Sequence, residues 1–101
     1  MKTTQFTELP GYDNEIQNLR TQINLLDEDI ADLLKQRLQL VHQVREFKKI
    51  EGLPFYCPTR EEVVISNVAA DSTGLEKEYL ETIYKSLLEV TRKVADIKAE
   101  Q

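Results

Sequence analysis

The chain has 101 residues, of which 41% are hydrophobic, and its 3 glycines and 3 prolines signal few turns, so we expect one small helical domain. The net charge of −5 argues against a nucleic-acid-binding protein, which would present a basic surface. The single cysteine, Cys57, excludes an internal disulfide, and with one distant histidine, His42, it gives no zinc pattern, so we expect no metal and no cofactor. Because no apolar run approaches a signal peptide or a membrane span, we expect a cytoplasmic protein that does not bind membranes.

The first predicted helix is unusually long. Residues 1–11 are polar and are interpreted as a flexible lead-in to a helical domain over residues 12–101. Asp13 or Asn14 can cap a helix that continues to about Ile50 without an internal Gly or Pro. At 1.5 Å per residue its length is about 55 Å, too long to bury one face inside a monomer of this size. We therefore expect a partner helix, most simply that of a second copy of the chain.

A second helix is predicted after a short loop. It starts near Pro58 or Thr59 and ends at about Ala70. Thr59 with Glu62 makes a capping box, and proline at the first helical position is an equally good start signal. The β-branched run at 63–65 would by itself suit a strand, but the capping signals and the flanking polar residues favour a helix.

The third predicted helix runs from about Leu75 to Lys98. Its apolar face carries one hydroxyl, that of Thr91, which either bonds back to its own helix or faces a ligand. The sequence therefore predicts an all-α fold with three helices per chain, the first of them very long.

Two cations interrupt the apolar face of the first helix. That face is built by residues at alternating steps of three and four, namely Ile16, Leu19, Ile23, Leu26, Ile30 and Leu33. The next position holds Arg37, and Lys48 closes the face after Leu40 and Val44 have resumed it. Because an unpaired buried charge is costly, either this end of the face is solvated or an anionic molecule meets it.

The spacing of the cations suits a small dicarboxylate. Arg37 and Lys48 are 11 residues apart, so they share a helix face with their Cα atoms about 16 Å apart. Arg20 lies about 25 Å from Arg37 and about 100° round the axis, so it would have to come from an antiparallel helix of another chain. Arg60 opposes the dipole of the second helix and so favours an anionic partner, although each charge alone also suits plain solvent exposure. Without a nucleophile–base pair, an enzyme of this kind would work by positioning and electrostatics.

These residues resemble those of the all-helical chorismate mutases over roughly residues 15–98. The positions that carry the resemblance, at the family's spacing and without a gap, are Arg20, Arg37, Lys48, Pro54-Phe55-Tyr56, Pro58 and Arg60-Glu61. Members of the family are intertwined homodimers of three-helix chains with two equivalent sites, and they rearrange chorismate to prephenate. The resemblance implies this fold, substrate and reaction for the present chain.

The resemblance also implies a role for each candidate residue. Arg37 and, from the partner chain, Arg20 would bind the two carboxylates of chorismate. Lys48 would donate to the ether oxygen, where negative charge develops as the C–O bond breaks. Arg60 would support the enolpyruvyl end and its carboxylate, and Glu61 would receive the ring hydroxyl.

Thr91 falls where the family often has Ser near a carboxylate, whereas two positions depart from the family's pattern. Cys57 stands where members commonly have Asp, and Ala95 stands where they usually have a Gln or Glu that shares the ether oxygen with the lysine. An isochorismate pyruvate-lyase or a 4-amino-4-deoxychorismate mutase would use the same cations, so both stay as alternatives. A non-catalytic helical dimer or regulatory partner is a third, but it would not explain cations within the apolar face.

Overall fold

The computed structural model describes residues 11–100, which form three α-helices and no strand. Their bounds are α1 at Gly11–Glu51, α2 at Pro58–Val68 and α3 at Gly74–Glu100. The prediction of an all-α chain with three helices and a very long first helix is thus confirmed. Apart from Gly11, the predicted lead-in over residues 1–11 lies outside the described residues.

The C-terminal end of α1 is set by a glycine. Gly52 adopts a left-handed conformation with φ of 73°, which side chains other than glycine disfavour. The N–H of Leu53 donates to the carbonyl of Lys48 at 2.8 Å, and the N–H of Gly52 donates to that of Lys49 at 3.3 Å. These two bonds form a Schellman motif, so the backbone of Lys48 is held in the last turn of the helix, beside the loop that follows.

The start of α2 differs from the predicted capping box. The N-cap residue is Cys57, whose side chain makes no capping hydrogen bond, and Pro58 occupies the first turn. The N–H of Glu61 donates to the Cys57 carbonyl at 3.1 Å, so the helix already begins there. The capping box of Thr59 with Glu62 is therefore wrong, and the proline start signal is right, because proline fixes its own φ at a helical value.

The chain divides into two units, with the boundary between Arg37 and Leu38. In the first unit, the described residues 11–37 all belong to α1. The six apolar residues that define its predicted face, from Ile16 to Leu33, are between 37% and 62% exposed. A lone helix with this pattern gains little stability in water, because its apolar face has nothing to pack against.

The second unit has a small core built by α2 packing on α3. Ala69, Leu88 and Ala95 are its buried apolar residues among those described. Large apolar side chains of the same unit stay exposed, including Phe47 on α1 and Leu75 on α3. The described residues thus leave many large apolar side chains in contact with water, beyond the scattered single ones that are normal on a soluble monomer.

The N-terminus of α2 can be tested by adding the capping group that Cys57 lacks. We expect Cys57→Ser to raise the free energy of unfolding by about 1 kcal/mol, because its hydroxyl can accept from a backbone N–H of the first turn. Thr59→Ala is the matched control and should change stability by less than about 0.5 kcal/mol. Urea unfolding at one fixed protein concentration measures both, and a larger loss for Thr59→Ala than the gain for Cys57→Ser would place the cap at Thr59 instead.

Candidate active site

Arg45 is a buried cation that links α1 to the loop after it and to α3. It is 9% exposed, and its guanidinium donates to Asp96 Oδ1 at 2.8 Å. The same guanidinium lies over the ring of Phe55, 4.7 Å from the ring centroid. Both contacts stabilise a cation away from water. Sequence reasoning missed Arg45, although its position one turn before Lys48 places it on nearly the same side of the helix.

Lys48 also contacts Phe55, the loop residue that Arg45 contacts. Its ammonium donates to the carbonyl of Phe55 at 3.1 Å, and the side chain is half-buried. Phe55 is therefore fixed at both ends, by Arg45 on its ring and by Lys48 on its carbonyl. An ammonium has three N–H donors, so this bond leaves donors that can reach an anionic ligand.

Glu61 is paired with a cation that the sequence analysis did not anticipate. Its Oε2 lies 3.2 Å from Nε of Arg92 on α3, and both side chains are largely buried. The Arg92 guanidinium also lies over the Tyr56 ring, 4.5 Å from the centroid. Nε of Arg92 is buried, and it has no aligned hydrogen bond to any described residue. Only the packing of α3 against α2 brings Arg92 to Glu61, so no spacing in the sequence signals the pair.

Thr91 and Arg60 are the other two candidate site residues of the second unit. The hydroxyl of Thr91 donates to the carbonyl of Leu87 at 2.7 Å, which is the bond back to its own helix that a mid-helix threonine often makes. Arg60 is exposed in the first turn of α2. The substrate-binding roles of Thr91 and Arg60 stay predictions.

The two positions that depart from the family's pattern are both described. Ala95 is 1% exposed and lines a cavity of about 450 Å³ together with Arg45 and Phe55. Its methyl group supplies no hydrogen-bond donor or acceptor, so position 95 contributes no hydrogen bond to this cavity. Cys57 is exposed and serves as the N-cap of α2.

The last two candidate site residues, Arg20 and Arg37, lie in the first unit. Arg20 is exposed and Arg37 is half-buried, and both belong to α1. Their predicted roles as carboxylate ligands stay predictions.

Within residues 11–100, no three His, Cys, Asp or Glu side chains are grouped closely enough to hold a metal ion. None of the helices in that range combines the length and apolar content that a membrane span requires.

Comparison with known protein families shows to which family the chain belongs. Residues 19–98 match the family described as chorismate mutase type II. The chain belongs to this family. The match covers nearly the same residues as the resemblance drawn from the cations and apolar positions, and it confirms that resemblance.

Individual relatives agree with the family match. The chain is 34% identical over 76 residues to the T-protein of Enterobacter agglomerans, of whose length it spans only 20%. It is 28% identical over 86 residues to the 4-amino-4-deoxychorismate mutase of Streptomyces venezuelae, and this match covers 83% of the chain and 84% of the relative. A solved chorismate mutase structure from Thermus thermophilus (form II) is 26% identical with a TM-score of 0.75, covering 81% of this chain and 94% of that one.

The Arg45–Asp96 pair should contribute measurably to stability. A double-mutant cycle of Arg45→Met with Asp96→Ala should give a coupling of about 1 kcal/mol, since Arg45 is buried but Asp96 is largely exposed. The matched control is the exposed pair of Lys93 with Glu89 on α3, which should couple by less than about 0.5 kcal/mol. Equal coupling in the two cycles, measured by urea unfolding, would mean that burial of Arg45 adds nothing to its ion pair.

Proposed function

We propose that this chain is a chorismate mutase, an isomerase that rearranges chorismate to prephenate on the route to the aromatic amino acids. The observation that carries the proposal is the family match over residues 19–98, which includes nearly all of the described helices. Two contacts at the loop support it: Lys48 donates to the carbonyl of Phe55, and Arg92, the partner of Glu61, lies over the ring of the next residue, Tyr56.

In this mechanism Lys48 acts on the breaking bond. As the C–O bond of the substrate lengthens, negative charge grows on the ether oxygen, and a fixed ammonium stabilises that charge more in the transition state than in the substrate. The hydrogen bond from Lys48 Nζ to the carbonyl oxygen of Phe55, 3.1 Å long, fixes the position of the ammonium against the loop. Such preorganisation avoids part of the cost of reorienting the donor during the reaction.

Other residues would hold the substrate in its compact reactive shape. Arg37 and the Arg20 of a second chain would bind the two carboxylates, and Arg60 would support the enolpyruvyl end. Glu61 would accept from the ring hydroxyl. Thr91 would reach a carboxylate only by turning its hydroxyl proton away from Leu87, since that proton is engaged at 2.7 Å. Restricting the substrate in this way lowers the entropic part of the barrier.

The functional unit would be an intertwined homodimer in the cytoplasm. The apolar face of α1 between Ile16 and Leu33 is exposed in the single chain, and a second copy running antiparallel would cover it with an equally long apolar face. A symmetric dimer uses the same surface of both chains. The spacing of three and four gives α1 one continuous apolar face, which can serve as that surface. The same arrangement would deliver Arg20 to the site formed around Arg37 of the other chain.

A second candidate substrate is 4-amino-4-deoxychorismate. The observation in its favour is the likeness to the Streptomyces venezuelae mutase, which spans most of both chains. The two substrates differ only in an amino group that replaces the ring hydroxyl. The residue that would receive this group is Glu61 in both cases.

The proposal predicts that the purified protein accelerates the loss of the ultraviolet absorbance of chorismate. Lys48→Ala should lower kcat by about 100-fold or more, because it removes the donor at the ether oxygen. Lys49→Ala is the matched control, since it removes the same charge from the neighbouring exposed residue, and it should leave kcat within about twofold.

Circular dichroism would show that both lysine variants keep their helical content. Chorismate loss by the unmodified protein at the uncatalysed rate would refute the proposed function. Turnover of Lys48→Ala equal to that of Lys49→Ala would refute the role given to Lys48.

A further inference from the structure

We infer that Arg92 determines substrate specificity. It would make the site prefer a neutral hydroxyl over an ammonium group as the ring substituent that donates to Glu61. This inference rests on the proposed function and goes beyond it, since it assigns a role to a residue outside the predicted set. It also decides between the two candidate substrates, one with a ring hydroxyl and one with a ring amino group.

The geometry of the pair puts a positive charge directly beside the receiving carboxylate. Nε of Arg92 is 3.2 Å from Glu61 Oε2, and the two side chains are 30% and 23% exposed. A substrate group that donates to Oε2 of Glu61 at an ordinary hydrogen-bond distance lies within about 6 Å of Nε of Arg92. Charges that are mostly out of water act on each other more strongly than exposed charges do, and salt screens them less.

The charge of the incoming group then decides which substrate is favoured. A hydroxyl is neutral, so it can donate to the Glu61 carboxylate without repulsion from Arg92. An amino group on a ring carbon carries a proton near neutral pH, and its ammonium form meets a carboxylate whose charge is already balanced by a guanidinium. Arg92 therefore removes the attraction that Glu61 alone would offer to an ammonium, and it adds a like-charge neighbour.

The hydrogen bonds show that this pair is built differently from a structural ion pair. Arg45 donates to Asp96 through an aligned hydrogen bond at 2.8 Å, as expected for a pair that joins two elements. Nε of Arg92 instead makes no aligned hydrogen bond within the described residues, although it is buried. The Tyr56 ring gives the guanidinium a second contact, 4.5 Å from the ring centroid. Because Oε2 of Glu61 lies 3.2 Å from Nε of Arg92 without an aligned hydrogen bond, the carboxylate can still accept one from a ligand.

The test compares two substrates in one pair of charge-matched variants. The kcat/KM ratio of chorismate to 4-amino-4-deoxychorismate would be measured for the unmodified protein, for Arg92→Met and for Lys93→Met. Methionine keeps an unbranched apolar stem over Tyr56 and removes the charge. Lys93→Met removes the same charge from a residue that is 71% exposed and paired with Glu89.

We expect the unmodified protein to favour chorismate and Arg92→Met to shift the ratio toward the amino substrate by about tenfold or more. Lys93→Met should keep the original ratio, and Arg92→Lys, which retains a cation, should keep most of it. Should Arg92→Met lose its helical circular dichroism signal, Arg92→Gln removes the charge with a smaller change in polarity.

A merely structural role for Arg92 gives a different result. In that case Arg92→Met would lower kcat/KM for both substrates by the same factor, and an unchanged ratio would overturn the inference while leaving the proposed function in place. An unmodified protein that prefers the amino substrate would overturn it as well. If the unmodified protein accelerates neither substrate, the proposed function fails first, and the inference falls with it.

Discussion

The first helix depends on apolar contacts that the described residues of the chain do not supply. Its face from Ile16 to Leu33 is exposed along its whole length, and helices gain most of their stability from packing such a face. A chain of this size cannot form a large core in any case, and its buried apolar residues in the second unit are few. Dimerisation through α1 would meet both needs, and it would explain why the pattern extends far beyond the length of an ordinary helix.

Three cations of the second unit contact the loop between α1 and α2. Arg45 and Lys48 contact Phe55, and Arg92 contacts Tyr56, the next residue. Two of these cations lie on aromatic rings, and each of the two also has an acidic partner on a neighbouring helix. Arg45 and Arg92 thus fix the loop residues beside Lys48, the donor proposed to stabilise charge in the transition state.

The sequence predicts the helices well because their signals are local. The spacing of apolar residues predicts the long α1, whose end at Glu51 lies one residue from the predicted Ile50, and α2 starts at the predicted Pro58. Two local signals failed. The capping box at Thr59 failed because proline at the preceding position fixes the helix start, and the caps predicted at Asp13 or Asn14 are wrong because α1 already begins at Gly11. The bond of the Thr91 hydroxyl within its own helix was one of the two predicted possibilities.

The parts of the site that sequence reasoning missed arise from tertiary packing. Asp96 lies 51 residues from Arg45, and the contact between Glu61 and Arg92 joins two different helices. No periodicity links such positions, and the family resemblance covers only positions that match its motif. Arg92 falls outside that motif, so its place beside Glu61 could be found only from the structure.

We propose above all that each active site takes residues from two chains. Arg20→Ala and Arg37→Ala should each be folded and nearly inactive with chorismate. Subunit exchange between equal amounts of the two should restore about one quarter of the unmodified activity, because half of the dimers would then be mixed and each mixed dimer would hold one intact site. If exchange is confirmed by mass spectrometry and no activity returns, Arg20 and Arg37 do not meet across an interface between two chains.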